Sequence, residues 1–307
     1  MVPVLRRISV ATLLTVAWTS LLAAAPVAAI PDRSGPRTWG EAMAYSLQNP
    51  AAMPPGMNDF SCVPGPAHPN PVVLVNGAFE NMFANWSMIA PRLHAEGYCV
   101  FGLNYGEFRG MHQAGPLRES AREIADFVDE VLAKTGSSQV DMVGHSEGGL
   151  VPRYFINRLG GAEKVSMFIS LAGIVTGLRF YGVMEAVGSN RDAQSAFAGT
   201  LPAAVDAAFE SDFIRETDTG GVTRPGVSYL SISSRTDMVV DVAESHLPET
   251  SAVTNVVLQD VCPSALPDHN NISYDENVYQ LIRNALDPAH PLPIQCRSSI
   301  PFVGQTS

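Results

Sequence analysis

The chain has 307 residues, with 30 acidic against 19 basic side chains and a net charge of −11. An acidic surface repels nucleic-acid phosphates and anionic headgroups, which argues against either as an electrostatic partner and leaves neutral, apolar ligands open. The length suits one large α/β core.

In chain order, residues 1–29 are expected to lie outside the fold. Arg6 and Arg7 give a basic start, residues 8–25 an apolar run, and "PVAA" a small-residue cleavage site after Ala29, the composition of a secretory signal peptide. The competing reading is an uncleaved membrane anchor, since the run is long enough to span a bilayer. Alanine-rich sequence leading into a Pro/Gly stretch at 31–36 favours cleavage, and no later segment is apolar enough to span. The expected product is therefore a secreted chain, residues 30–307, folded as a single domain with no stable membrane span. Cys62, Cys99, Cys262 and Cys296 are an even set, which in an exported chain favours two disulfides. The sequence-local choice among three pairings is Cys62–Cys99 with Cys262–Cys296. No C-x-x-C spacing suggests zinc. The sequons at Asn85 and Asn271 read as incidental.

After a proline-rich lead-in, short apolar runs alternate with helical patterns. "PVVLV" (71–75) predicts a first strand, closed by Asn76-Gly77, and a helix follows over 86–96. "YCVFGLN" (98–104) predicts a second strand. Leu117, Ala121, Ile124, Val128 and Leu132 recur at helical spacing and stop before Gly136. "QVDMV" (139–143) is the third strand, followed by a helix over 147–159. The fourth to sixth strands are "VSMFISLA" (165–172), "GVSYLSIS" (226–233) and "VTNVVL" (253–258). Such alternation implies a mostly parallel sheet covered by helices on both faces. The interval 173–225 is long, with Leu201, Val205, Ala208, Phe209 and Phe213 on one amphipathic face. It reads either as a cap or as an ordinary crossover helix with extra loop.

In "VDMVGHSEGG" (140–149), Gly144, Ser146 and Gly148 make the pattern G-x-S-x-G. Alone the pattern is weak, but here it falls between a strand and a helix, where a sharp turn would lift Ser146 above the sheet edge as a nucleophile. A serine needs a base, and the base a carboxylate to orient it, in the chain order serine, acid, histidine. Asp237 in "SRTDMVVD", after the fifth strand, supplies the acid, with Asp241 as a competitor. His269, after the sixth strand, supplies the base. His246 and His290 read as surface histidines, and His145 as structural, pointing away from the serine. His68, His94 and His112 precede the serine and have no evident partner. Two backbone N–H donors are required for the developing oxyanion. Glu147 supplies one, and Ala78 or Phe79, in the turn after the first strand, the other.

"PVVLVNGAFENMFANW", "GYCVFGLNYG", "VDMVGHSEGG", "SRTDMVV" and "DHNNISYDENVYQLIRNALDP" together resemble the secreted bacterial α/β-hydrolase lipases of lipase class 2. The resemblance implies a triad of Ser146, Asp237 and His269, and hydrolysis of lipid or other apolar esters, at a lipid–water interface, without metal or cofactor. It departs from the family in Asn76-Gly77, where His-Gly is common, and in Glu147, where Gln is common. The expected activity is that of a lipase or carboxylesterase. The rivals are a cutinase-like polyesterase or acyltransferase with the same triad, and a non-catalytic binding protein of the same fold.

Overall fold

The computed structural model describes residues 35–306; the leader and its expected cleavage site lie outside them. Six strands form one sheet: β1 (Val72–Val75), β2 (Val100–Leu103), β3 (Val140–His145), β4 (Val165–Leu171), β5 (Ser228–Ser233) and β6 (Val253–Val257). Their order is β2-β1-β3-β4-β5-β6, and every pairing is parallel. Each strand lies within two residues of its expected bounds. The chain runs outward from β1 to β2, then returns to place β3 on the other side of β1. That reversal opens a crevice beyond the carboxyl ends of β1 and β3, where open α/β sheets hold ligands.

Alternate strand residues serve two cores. Val73, Val75, Val140 and Met142 pack on one face with Ile124, Val128 and Val131 of the helix Leu117–Thr135. Val72, Leu74 and Val143 pack on the other with Trp86, Ile89, Leu93, Val278 and Ile282. Both faces are covered, so β1 and β3 are buried along their whole length, and polar alternation would be penalised. Each fully buried aliphatic side chain contributes about 1.5–3 kcal/mol. The helix Leu117–Thr135 stops at Gly136, whose φ of 72° is left-handed and whose N–H returns to the Leu132 carbonyl.

Prolines explain two departures from the expected helices. The helix expected over 86–96 is two pieces, Met82–Trp86, capped by Asn81, and Ile89–Ala95. Pro91 has no N–H for the Ser87 carbonyl, and its ring would strike that carbonyl in a continuous helix. Likewise the helix expected from residue 147 begins as a tight turn, Ser146–Gly149, and becomes α-helical only at Val151–Arg158, with Pro152 in its first turn.

The interval 173–225 holds four short helices, Val183–Gly188, Arg191–Ala198, Pro202–Ala207 and Asp212–Thr217. The stripe from Leu201 to Phe213 is therefore not one helix face. It breaks at Ala208, which is extended, and at Glu210, with φ 60°. Ala208 and Phe213 enter the core, whereas Phe209 lies half-buried under the Arg179 guanidinium, 3.5 Å from its ring centre. Arg153, fully buried, ties this interval to the helix after Ser146 by donating to the Val175 carbonyl at 2.7 Å and pairing with Asp218. Disulfides join Cys62 to Cys99 and Cys262 to Cys296. Past residue 290 a small antiparallel pair forms from β7 (Ser299–Ile300) and β8 (Gly304–Gln305). Among the described residues no helix is long and apolar enough to cross a membrane.

Candidate active site

Ser146 follows the last residue of β3 with φ 54°, a conformation that costs a non-glycine residue on the order of 1–3 kcal/mol and persists only where its surroundings enforce it. Its flanking glycines are part of that enforcement. A Cβ on Gly144 would lie 1.7 Å from the Gly148 carbonyl oxygen, and one on Gly148 would lie 2.1 Å from the Val75 carbonyl oxygen. Neither position admits a side chain, because the turn folds tightly on itself and against β1.

Two loops converge on the serine. His269 Nε2 is 2.8 Å from Ser146 Oγ, and His269 Nδ1 is 2.7 Å from Asp237 Oδ2. The other Asp237 oxygen accepts from the Val239 and Val240 N–H groups at 2.7 and 2.9 Å, so the carboxylate is fixed from both sides. Both side chains are almost wholly buried, 8% and 1% exposed for His269 and Asp237, which strengthens their mutual attraction by excluding water. The two loops are also stitched together: Ser234 Oγ and Thr236 Oγ1 donate to the Pro267 carbonyl at 2.9 and 2.8 Å. Asp268 anchors the histidine loop further by accepting from the Phe302 N–H at 2.6 Å, across from the β7–β8 pair.

Asp241 is elsewhere. It caps the helix Val242–Ser245, accepting from the Ala243 N–H, while Glu244 bonds back to the Asp241 N–H. His290 is exposed beside Asp287, and His246 is half-buried with no hydrogen bond to Ser146 or Asp237. His68 stacks on Tyr98 with ring centres 3.7 Å apart, and His94 and His112 are exposed.

The turn after β1 adjoins the nucleophile: a Cβ on Gly77 would lie 3.2 Å from Ser146 Cβ. Of the two donors suggested for this turn, Phe79 directs its N–H to the Gln113 carbonyl at 3.3 Å. Ala78 N–H has no such internal acceptor among the described residues, and Glu147 N–H stands in the first turn of a helix, where amides lack internal partners. Asn76, replacing the histidine common in the resembling lipases, is fully buried and bonded throughout. Its side-chain oxygen accepts from Trp86 Nε1 at 2.7 Å, and its amide donates to the Leu103 carbonyl at 3.0 Å.

Sequence reasoning missed the polar shell behind this site. His145 does point away from Ser146, but its Nε2 is 2.8 Å from the His269 carbonyl, so it holds the base's loop from beneath. Its Nδ1 faces Glu80 Oε2 at 3.5 Å and Asn85. Burial works against charging His145, yet Glu80 and the His269 carbonyl outweigh it and raise its pKa. Asn85 accepts from the Gly77 N–H at 2.9 Å and is fully buried, as is most of Asn271, so neither sequon presents a surface acceptor. The one available signal was the density of polar residues in "NGAFEN", too much for a bare turn.

A serine raised on a strand-to-helix turn, a histidine and an acid from later loops, and a parallel sheet of this order define an α/β-hydrolase. The model of the Lipase (class 2) family matches residues 69–281, and the chain belongs to that family. Two triacylglycerol lipases, from Pseudarthrobacter phenanthrenivorans and Burkholderia plantarii, are each 36% identical to it over 89 residues. That match is 27% of this chain and spans only about a quarter of each relative, 27% and 24%. Among solved structures, Aspergillus fumigatus lipase B aligns with a TM-score of 0.59 at 17% identity, over 88% of this chain and 61% of that one. Mature Bacillus licheniformis lipase BlEst2 aligns at 0.56 and 17%, over 73% and 94%. These two likenesses establish the fold.

Proposed function

We propose that the protein hydrolyses carboxylic esters with apolar acyl groups, as a lipase or carboxylesterase, through Ser146, His269 and Asp237. The observation that carries this reading is the unbroken line from Asp237 Oδ2 to His269 at 2.7 Å and from His269 to Ser146 Oγ at 2.8 Å. Ser146 Oγ attacks the ester carbonyl as His269 Nε2 takes its proton, and Asp237 stabilises the imidazolium. The tetrahedral oxyanion accepts from the N–H groups of Ala78 and Glu147, and its collapse expels the alcohol, which takes the proton back from His269. A water, deprotonated by the same imidazole, then cleaves the acyl-enzyme and releases the acid.

A groove of about 490 Å³ supports an apolar acyl group. It runs between three of the short helices in 173–225 and is lined by Val183, Val187, Phe197, Leu201 and Val205. The helix that forms one wall is tied to the segment after β2 by the Ala203 N–H, which reaches the Ala114 carbonyl at 3.4 Å, and the neighbouring Gln113 carbonyl accepts from the Phe79 N–H. A larger hollow of about 890 Å³ near Tyr45 and Phe83 has Arg37, Arg92, Glu276 and Gln305 in its walls, a poorer match for a hydrocarbon chain. In this reading residues 30–307 are one catalytic domain with 173–225 as its acyl-binding cap. Two disulfides and the apolar leader support secretion after cleavage near Ala29.

The test is turnover of p-nitrophenyl esters of graded chain length, with covalent labelling by an organophosphonate. The wild type should label at Ser146 and turn over, and Ser146→Ala should do neither. Turnover that survives Ser146→Ala in pure protein would overturn the reading.

A further inference from the structure

The residue after the nucleophile carries a buried carboxyl group that the reaction above does not use. Glu147 is 1% exposed, and among the described residues its carboxyl group has one hydrogen-bond partner, the Tyr105 hydroxyl, 3.2 Å from Oε1. Tyr105 Oη also lies 2.8 Å from the Asn76 carbonyl oxygen. A phenol has one proton, and here two groups would claim it. The carbonyl can only accept, and it is the nearer. If Glu147 were ionised, a buried charge would be left with half of a shared proton, at a cost of several kcal/mol. If Glu147 is protonated, every requirement closes: its O–H donates to Tyr105 Oη, and Tyr105 O–H donates to Asn76.

We infer that Glu147 is a neutral carboxylic acid at neutral pH, and that the chain Glu147 O–H to Tyr105 O–H to the Asn76 carbonyl braces the nucleophile turn against the oxyanion turn. It links Glu147, which bears one proposed N–H donor, to Asn76, two residues before Ala78, which bears the other, and the two turns follow different strands. Among the described residues, the groups facing Glu147 offer no cation to hold a carboxylate. They are Tyr105 from the segment after β2, Glu80 from the turn after β1, and Asp206 from the helix Pro202–Ala207. Arg118, beside Asp206, is engaged by Asp206 at 3.6 Å and Glu216 at 2.7 Å. His145, adjacent to the serine, turns instead to Glu80 and the His269 carbonyl. Burial accordingly pushes the Glu147 carboxyl well above the ordinary carboxylate range; Tyr105 opposes this and Asp206 and Glu80 add to it.

The side chain is thus a positioning residue with a pH-dependent consequence. Deprotonation at alkaline pH would set a negative charge beside the forming oxyanion and slow turnover. The kinetic part rests on the ester-hydrolase reading; the protonation state does not. Infrared spectra of the full chain test the latter directly. The difference between wild type and Glu147→Gln at neutral pH should contain a protonated-carboxyl stretching band, and in the wild type that band should titrate away at alkaline pH. The kcat of wild type on a soluble ester, normalised to its own plateau, should fall with the same midpoint, whereas the limb of Glu147→Gln should move up by at least about one pH unit, tenfold in proton concentration. Tyr105→Phe should lower kcat roughly tenfold with KM within about twofold, as for one lost hydrogen bond. Absence of the band at neutral pH, or superimposable alkaline limbs, would overturn the inference. A band present and titrating in a protein that turns over no ester would uphold the protonation state and sink the activity instead.

Discussion

Gly148→Ala puts a single methyl group where the nucleophile turn packs against β1. Gly148 has an ordinary negative φ, so its own backbone would accept alanine, and the penalty is entirely one of contact. The new Cβ would sit 2.1 Å from the Val75 carbonyl oxygen and 2.7 Å from that of Asn76, where ordinary contact begins at 3.4 Å. The deficit at Val75 is about 1.3 Å, between backbone atoms of a turn and a central strand that no rotamer change can relieve. Either β1 or the nucleophile turn must move, and the Ala78 and Glu147 donors move apart with it. A misplacement of about 1 Å costs on the order of 100-fold in turnover. Overpacking of this kind costs about 3 kcal/mol of stability, which in a domain of this size lowers Tm by roughly 6 °C. The assay is kcat/KM on a short soluble ester, the rate of phosphonate labelling and a calorimetric Tm. Gly65→Ala is the control, since nothing lies within 4 Å of a Cβ there and its φ is not positive. A Gly148→Ala protein within about threefold of wild-type kcat/KM and within 2 °C in Tm would refute the argument from contact.

Asp237→Asn should lower kcat on the order of 10⁴-fold with the fold intact, because an amide facing His269 Nδ1 stabilises the wrong tautomer. Asp241→Asn keeps the helix cap and should cost little; the reverse ranking would move the acid to Asp241. Burial raises the Asp141 carboxyl from 3.8 to about 7, against hydrogen bonds from Asn70 and the Met167 N–H. A raised folded-state pKa contributes stability that is fully present below about 4 and is lost as pH rises through about 7. Asp141→Asn should therefore gain stability relative to wild type across that window, by at most about 4 kcal/mol, seen as a Tm difference that grows with pH, and parallel Tm–pH curves would refute this. Phe197→Asp in the apolar groove should reduce kcat/KM for decanoate esters at least about tenfold more than for acetate, as for a charge set against a hydrocarbon chain; equal losses would make the groove mere packing. Replacing Cys262 and Cys296 by serine opens a loop of 34 residues and should cost roughly 4 kcal/mol, measured by denaturant unfolding. It should also lower kcat by loosening the loop that carries His269, and an unchanged kcat would separate the two roles.

The amino-acid sequence by itself determined the sheet and the chain positions of the three proposed catalytic groups. The strands are short, β-branched and mostly buried, so they read as apolar runs whose ends can be placed to within two residues; Ser146 follows β3 directly, Asp237 lies in the loop after β5, and His269 lies in the longer connection after β6. It also carried the breaks at Pro91 and Pro152, although the helical periodicity around them concealed their effect. Tertiary structure alone decided which of Ala78 and Phe79 keeps its N–H, because the competing acceptor, Gln113, is 34 residues distant in sequence. It alone separated Phe209, covered by Arg179, from Leu201 and Val205, which line the groove, since three short helices make that wall and no single period describes them. And it alone joined Glu147, Tyr105 and Asn76. Periodicity reports burial by a residue's neighbours in sequence, whereas the protonation state of a buried carboxyl depends on which donors and acceptors the fold brings within 3.2 Å of it.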